Sequence, residues 1–384
     1  FQILLYLNFN FFLIPMKHKF KCLNCQTTIN PDPHITVCQQ KGCENEAFEI
    51  VYTNRDSNTS HEIPIPLSNN LNLINLGQGN TPIIRLNSIS SDFELNVFAK
   101  LEYMNPTGSF KDRGSSMMIS ALKEFGISKI VEDSSGNAGA SISAYSAYSK
   151  IQSHIFVPEN APKNKVSQIE LYGSIVHKIP GPRDNSTFAA IKYSNKNSIP
   201  YSSHNLSPYF LEGTKSFGYE VINFFNQNEL HHILFPVGNG SLLIGSYKAY
   251  TEIGNNINIP KHHAIQTENI RPIVNMYKNL NWSVDDGLPT IANGIAILNP
   301  PRKIQATNVV HFTNGTAITV SDEQIIEWQI KLAQKEGVFA ELTSCAIFAA
   351  LEELISTKII KNKETVLLPI TGFGLKDPPK SFNQ

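Results

Sequence analysis

One lysine of this chain stands in a context that suits covalent chemistry. Residues 105–114 (NPTGSFKDRG) place Lys111 between a turn-forming stretch and a glycine that can open a helix. A lysine becomes a nucleophile toward a carbonyl carbon when its surroundings hold it in place and lower its pKa. A surface turn leading into a basic helix would give the same short run. Lys111 is therefore the candidate catalytic residue, and other motifs must decide between these two interpretations.

Two loops further along the chain share one local pattern. Residues 131–139 (VEDSSGNAG) and 235–243 (FPVGNGSLL) each run from an apolar, strand-like segment through a glycine loop into a helical pattern. Glycine in such a turn lets the backbone approach a ligand closely, and the first N–H groups of the following helix favour an anion such as phosphate. Alone, the glycines at 238 and 240 could equally serve a tight turn.

Together with residues 371–377 (TGFGLKD), these runs occur in the order seen in fold-type II pyridoxal-phosphate (PLP) enzymes. From about residue 75 onward the chain resembles the threonine synthases among them. The resemblance implies PLP as cofactor, with Lys111 as the Schiff-base lysine and Thr371 as the partner of the pyridine nitrogen. A neutral hydroxyl there suits an unprotonated nitrogen, whereas a carboxylate would hold the nitrogen protonated.

The same resemblance implies two binding loops. The predicted cofactor-phosphate loop consists of Gly238, Asn239, Gly240, Ser241 and Leu242. The predicted substrate-carboxylate loop consists of Ser134, Ser135, Gly136 and Asn137. Asn137 also matches the residue that hydrogen-bonds the 3-hydroxyl of the cofactor in the family.

The implied reaction is that of a PLP-dependent lyase converting O-phosphohomoserine and water to threonine and phosphate. Two positions depart from the threonine synthase pattern: Ala138 replaces a common threonine, and Phe210 replaces an arginine associated with the substrate phosphate. Phenylalanine cannot make a bidentate phosphate contact. The basic side chains considered as substitutes are Lys215, Arg183 and Lys163.

Three alternatives stay open on the sequence alone. A related β-replacement enzyme or a serine/threonine dehydratase would use the same cofactor. Dehydratases of this fold usually carry a Lys-Ile/Leu-Arg run and a serine or cysteine opposite the pyridine nitrogen, unlike Lys111-Asp112-Arg113 and Thr371 here. A non-catalytic binding protein is disfavoured because the whole cofactor set is present.

Four of the five cysteines fall within the first fifty residues. The pairs Cys22 with Cys25 and Cys38 with Cys43 have spacings typical of a tetrahedral zinc ribbon. Free or disulfide-bonded thiols are the alternative, and the lack of a secretory signal disfavours disulfides. Cys345 lies in an apolar helical run and is predicted to be a core residue.

Composition favours a cytoplasmic small-molecule enzyme. The 384 residues carry 32 basic and 32 acidic side chains, so the chain has no net field that would attract nucleic acid or an anionic membrane. The hydrophobic content of 41% is enough for a sizeable core. By analogy with the family, we expect a homodimer acting on a small amino acid.

The predicted organisation is an α/β protein of two open, mainly parallel sheet lobes plus the ribbon, because strand-like runs alternate with helical patterns. The predicted strands are 97–101, 129–132, 154–157, 175–179, 232–235, 263–266 and 365–368, and the predicted helices are 166–172, 211–225 and 323–336. The predicted regions are a start-site or disordered extension at 1–15, the ribbon at 16–52, a linker at 53–70 and the catalytic region at 71–384, with a small mobile lobe at about 120–220.

Overall fold

The computed structural model describes residues 12–43, 46–53, 62–161, 163–225, 230–254 and 257–377. The strands in this part of the chain are β1 (Phe12–Pro15), β2 (His18–Cys22), β3 (Thr28–Ile29), β4 (Phe48–Tyr52), β5 (Glu62–Ile65), β6 (Ile83–Arg85), β7 (Asn96–Lys100), β8 (Lys129–Glu132), β9 (Gln152–Pro158), β10 (Ile175–Ile179), β11 (His232–Pro236), β12 (Lys261–Thr267), β13 (Ala317–Val320) and β14 (Thr365–Pro369). The helices are α1 (Asn87–Phe93), α2 (Lys111–Glu124), α3 (Asn137–Ser149), α4 (Lys163–Leu171), α5 (Arg183–Asn197), α6 (Pro208–Thr214), α7 (Ser216–Phe225), α8 (Ser241–Ile253), α9 (Pro272–Tyr277), α10 (Lys303–Phe312), α11 (Asp322–Glu336) and α12 (Leu342–Ser356).

The α/β prediction with mainly parallel sheets is confirmed. A six-stranded sheet has the order β13-β12-β11-β14-β7-β6 and is parallel except for the β6–β7 pair. A parallel three-stranded sheet has the order β10-β9-β8. All seven predicted strands are found in these two sheets. Strands β11 and β14 are almost wholly buried, as their continuous apolar runs indicate, whereas β10 has no fully buried residue.

Helices cover both faces of the six-stranded sheet. One apolar core joins this sheet to α1, α11 and α12, and Cys345 is buried in it, as predicted. A second core joins the other face to α7, α8 and α10. The carboxyl ends of parallel strands meet at one edge of a sheet, so the loops after β8 and β11 can supply ligand-binding groups.

The ribbon shares its core with the smaller sheet rather than standing apart. Strands β3, β2 and β4 form an antiparallel sheet. Phe20 and Phe48 of this sheet belong to the same buried cluster as Met117 of α2 and Ile155 of β9. The ribbon is therefore packed against the region that surrounds Lys111.

Three local predictions need correction. The predicted helix 211–225 is two helices, α6 and α7, because the chain turns at Lys215, whose buried ammonium lies 2.6 Å from Glu212 Oε2. Gly114 does not open a helix: α2 begins at Lys111, and a Cβ atom at Gly114 would lie 2.6 Å from the Phe210 ring.

The third correction concerns the N-terminal extension. Phe12–Pro15 are not disordered but form β1, which pairs in parallel with β5, inside the region predicted as a linker. Residues 1–11 and the centre of that linker, 54–61, lie outside the described residues, and the domain boundaries remain predictions. Within the described ranges no helix is long and apolar enough to cross a membrane.

Candidate active site

The cofactor and substrate residues predicted from sequence line one cavity of about 250 Å³. They come from four places in the fold: the start of α2, the loop between β8 and α3, the loop between β11 and α8, and the segment after β14. The predicted residues on its wall are Lys111, Ser134, Ser135, Gly136, Asn137, Gly238, Asn239, Gly240, Ser241, Leu242 and Thr371. Ala138, noted as a departure, lies there too.

Lys111 reaches the cavity from the first position of α2. The segment before Lys111 is hydrogen-bonded to the segment after β14. The Phe110 N–H donates to the Thr371 carbonyl at 3.1 Å, and Ser109 forms an isolated antiparallel β-bridge with Gly372. The Lys111 Nζ atom lies 4.7 Å from the ring centroid of Phe110 and 5.6 Å from that of Phe210. The amine is thus held between two aromatic rings beside Thr371.

The environment of Lys111 favours its neutral form. Burial lowers the pKa of Lys111 to about 8, and the cationic Arg183 acts in the same direction. The carboxylates of Glu132 and Glu341 partly oppose this shift. The neutral amine is the form that attacks a carbonyl carbon, and a lowered pKa raises its fraction at neutral pH.

The loop between β11 and α8 is shaped to bind an anion. Gly240 adopts a left-handed φ of 85°, and no side chain caps the first turn of α8. The residues that open this helix of 13 residues line the cavity, so a phosphate bound there could accept from their backbone N–H groups. A Cβ atom at Gly238 would lie 3.0 Å from Ile297 and 3.1 Å from Ile295, closer than most Cβ contacts, so this position favours glycine.

The loop between β8 and α3 presents a second uncapped helix start. Gly136 precedes α3 without a side-chain cap, and a Cβ atom at Gly136 would meet nothing within 4 Å. Asn137, the first residue of α3, donates from Nδ2 to Glu341 Oε2 at 2.8 Å. This hydrogen bond crosses from the smaller sheet to the turn before α12.

Thr371 is paired with a hydroxyl and not with a charge. Its Oγ1 lies 2.9 Å from the buried Ser344 Oγ, and either atom can donate. A hydroxyl pair can hydrogen-bond a neutral ring nitrogen without protonating it. These residues, the buried amine and the two helix starts together fit a PLP molecule.

The structure adds cavity residues that sequence reasoning missed. Lys165 of α4 lies 2.8 Å from Asp377 Oδ1 and 3.6 Å from Glu341 Oε1. His204 and Glu341 also line the wall. Their flanking sequence has no glycine loop or motif spacing, so only their spatial position could identify them.

The three basic residues that could replace an arginine at position 210 differ in their position relative to the cavity. Arg183 lines the cavity. Lys215 is buried elsewhere, against Glu212 and Glu252, and Lys163 is not among the cavity residues. Of the three, Arg183 alone is placed to meet a bound ligand.

The four ribbon cysteines form a cluster distant in sequence from these loops. The Sγ atoms of Cys22, Cys25, Cys38 and Cys43 all lie within 4.8 Å of one another, and Cys25 is the exposed member. Four thiolates at this spacing suit a tetrahedral metal ion such as zinc.

Comparisons with known proteins agree with this geometry. A family model described as "Pyridoxal-phosphate dependent enzyme" matches residues 74–372. The chain is 30% identical over 383 residues to a threonine synthase of Methanocaldococcus jannaschii, covering 93% of each chain. It is 34% identical over 317 residues to a threonine synthase of Halalkalibacterium halodurans, covering 82% of this chain and 87% of the relative.

Solved structures support the fold. A fungal L-serine ammonia-lyase from Rhizomucor miehei superimposes with a TM-score of 0.69 at 19% identity, covering 77% of this chain and 94% of that chain. Threonine deaminase isoform 2 from Solanum lycopersicum gives a TM-score of 0.65 at 19% identity, covering 76% and 79%.

Proposed function

Because this chain belongs to the pyridoxal-phosphate dependent enzymes and is threonine synthase-like, we propose that it is a carbon–oxygen lyase that forms threonine and phosphate from O-phosphohomoserine and water. The observation that carries the proposal is the convergence of Lys111, the two helix starts and Thr371 on one cavity. The similarity over 93% of the chain supports it.

The proposed roles follow from the chemistry of each wall. Lys111 would bond the cofactor aldehyde, residues 238–242 would bind its phosphate through backbone N–H groups, and Thr371 would meet its ring nitrogen. When bound, PLP supplies a conjugated ring that takes up the negative charge developing at the substrate α-carbon. Asn137 would orient the ring through the 3-hydroxyl.

Substrate binding would use the smaller sheet. Residues 134–136 precede α3 and Asn137 begins it; no side chain caps this helix start, so its N–H groups suit the substrate carboxylate. Lys111, displaced by the substrate amine, would carry the proton at the α-carbon, because its lowered pKa lets it act as a base near neutral pH.

The substrate phosphate would meet Arg183 at the N-terminus of α5. Arg183 lines the cavity, and its guanidinium can donate two parallel hydrogen bonds to a phosphate bound there. Lys165 is already paired with Asp377 and would contribute charge from the opposite wall.

Phe210 favours a second candidate function. Its ring is fully buried against Gly114 and lies 5.6 Å from Lys111 Nζ, so the position where threonine synthases commonly have an arginine is apolar here. A smaller substrate with a β-hydroxyl or other β-leaving group, as in a dehydratase or a β-replacement enzyme, would need no phosphate contact there.

A substrate panel on the purified holo-protein distinguishes these functions. O-phosphohomoserine, O-phosphoserine, serine and threonine are each assayed for phosphate, ammonia and threonine. We expect equal amounts of phosphate and threonine from O-phosphohomoserine. Ammonia release from serine or threonine without any turnover of O-phosphohomoserine would replace the first function by the second.

A matched pair of variants tests the phosphate contact. Arg183→Gln should raise the KM for the phosphorylated substrate about tenfold, the effect of roughly 1.4 kcal/mol of lost binding. Lys196→Gln, which removes an exposed charge from the last turn of the same helix, should leave the KM unchanged. An unchanged KM in both variants would remove Arg183 from the phosphate site.

We further propose that the four-cysteine cluster binds structural zinc and that the protein is a cytoplasmic homodimer. The geometry of the four thiols supports zinc. The cytoplasmic location and the homodimer are supported by the family analogy alone.

A further inference from the structure

A buried histidine–carboxylate pair adjoins the cavity, and its histidine, His204, lines the wall. The His204 Nδ1 atom lies 2.7 Å from Glu132 Oε1, and the His204 backbone N–H donates to Glu132 Oε2 at 3.0 Å. Glu132 is fully buried at the end of β8, two residues before the predicted carboxylate loop. Both oxygens of one carboxylate are thus used to fix a single residue.

The ring of His204 is also fixed by packing. It meets the Phe210 ring edge to face, with centroids 5.8 Å apart, and Phe210 is the ring that lies beside Lys111 Nζ. The segment leading to His204 runs along β8, because Ser202 N–H donates to the Val131 carbonyl at 2.7 Å. Since Nδ1 is bound by Glu132, Nε2 is the ring nitrogen left for the cavity that His204 lines.

The other charged groups on the wall are unsuited to a second proton transfer. Lys165 and Glu341 form one network with Asp377, and the guanidinium of Arg183 has no acceptor atom. Lys111 is assigned to the α-carbon. His204 is therefore the remaining titratable group of the cavity that can exchange a proton with the substrate side chain.

We propose that His204, held and polarised by Glu132, is the acid–base group for the substrate side chain, a role that rests on the proposed lyase function. His204 Nε2 takes the β-proton, and the electron pair of that C–H bond forms the double bond as the neighbouring carbon–oxygen bond breaks. The leaving oxygen departs with its electron pair and receives the proton from Nε2. One proton thus moves from the β-carbon through Nε2 to the leaving oxygen, and no redox step occurs.

The charges that face His204 favour its neutral form at the start of the cycle. Burial lowers its pKa well below the usual range, and Lys111 of α2 and Arg183 of α5 act in the same direction. Burial, together with the neighbouring Asp133, raises the pKa of Glu132 well above its usual range, so this carboxyl group can share a proton with the ring across the 2.7 Å contact. This arrangement resembles in outline the carboxylate–histidine pairs that orient a base and stabilise its protonated form.

The test distinguishes proton transfer at the substrate α-carbon from proton transfer at the β-carbon. His204→Gln keeps a polar side chain of similar reach but cannot carry a proton. In D2O, exchange of the substrate α-hydrogen followed by NMR should persist, because Lys111 is intact, while release of phosphate should fall by about 100-fold or more, the scale of general acid–base catalysis. The exposed His311→Gln serves as control and should change neither rate.

Phosphate release in His204→Gln within about threefold of the parent protein would overturn the proposal. If this variant does not fold, Glu132→Gln gives an independent measurement: its amide would donate to Nδ1 and fix the ring in the opposite tautomer, so the pH profile of phosphate release should lose the limb assigned to His204. An unaltered profile in a folded Glu132→Gln protein would also overturn it.

If the proposed lyase function is wrong, the measurements will differ from those expected if only the role of His204 is wrong. In that case the parent protein would release no phosphate from O-phosphohomoserine. Ammonia release from serine would then be measured in three proteins, namely the parent, His204→Gln and His311→Gln. A selective loss of ammonia release in His204→Gln would then keep the role of His204 on the other substrate, and equal rates in all three proteins would remove it.

Discussion

At the scale of single residues, burial decides what Lys111 can do. Its amine is enclosed by Phe110 and Phe210, two rings that attract a cation only weakly and exclude water. Burial is therefore the main cause of the lowered pKa. Gly114 lets the Phe210 ring approach the helix, since any Cβ there would overlap it. A motif glycine three residues after the lysine thus shapes the lysine environment.

Replacing Lys111 by alanine should abolish covalent attachment of PLP and all turnover. Borohydride reduction followed by peptide mapping measures the attachment directly. Lys123→Ala removes an exposed lysine from the last turn of the same helix and is the matched control. Label found at another lysine in the Lys111→Ala protein would show that the assignment is wrong.

The pH dependence of cofactor loading should report the pKa of Lys111. The neutral amine reacts, so the loading rate of the cofactor-free protein should rise about tenfold per pH unit below pH 8 and level off above it. An ordinary lysine would keep gaining rate up to about pH 10.4. A stopped-flow absorbance series between pH 6 and 10 distinguishes the two curves.

At the scale of elements, α3 is packed unusually close to the loop that precedes it. A Cβ atom at Gly139 would lie 1.9 Å from the Ser134 carbonyl oxygen and 2.9 Å from Ile169 of α4. The first turn of α3 can approach the substrate loop only because position 139 has no side chain. The spacing of glycines in this loop therefore has a packing reason as well as a binding one.

Gly139→Ala should lower the free energy of unfolding by several kcal/mol, because backbone and not a flexible side chain must move. Denaturant unfolding of the cofactor-free protein measures this change. Gly136→Ala is the stability control, since a Cβ atom there meets nothing within 4 Å and its φ of −106° is open to alanine. Equal unfolding free energies for the two variants would contradict the packing argument.

At the scale of the whole molecule, the ribbon is hydrogen-bonded to the wall of the cavity. The buried Arg302 donates from Nη2 to the carbonyl of Phe48 in the ribbon and to that of Leu206, both at 2.9 Å, and from Nε to that of Asn205 at 3.2 Å. The Asn205 carbonyl also accepts from Asn239 Nδ2 at 3.0 Å. One guanidinium therefore links the ribbon, the segment after His204 and the predicted phosphate loop.

Removal of the proposed ribbon zinc should consequently loosen the cavity wall as well as the ribbon. After chelation, or in a Cys22→Ser, Cys43→Ser double variant, hydrogen exchange should increase together in residues 46–53 and 204–210. Strand β12, on the far side of β11, should keep its protection. Faster exchange confined to the ribbon would show that Arg302 does not couple the two parts.

Much of this molecule is determined by local sequence. The apolar runs of β11 and β14 predict strands because side chains buried on both faces of a sheet are mostly apolar. The glycine loops after β8 and β11 predict helix starts that can bind an anion, because glycine lets the backbone approach a ligand closely. Lys111 and Thr371 could be assigned because they lie in such runs and match a family pattern.

The tertiary structure alone decided which distant side chains complete the cavity. Asn137 and Glu341 are 204 positions apart, and His204 and Glu132 are 72 apart, yet each pair is hydrogen-bonded. No local pattern marks such a pair, since it forms only when sheet order and helix packing bring separate segments together. The contacts of a buried polar group depend on the folded chain, whereas backbone conformation at a turn depends on a few neighbouring residues.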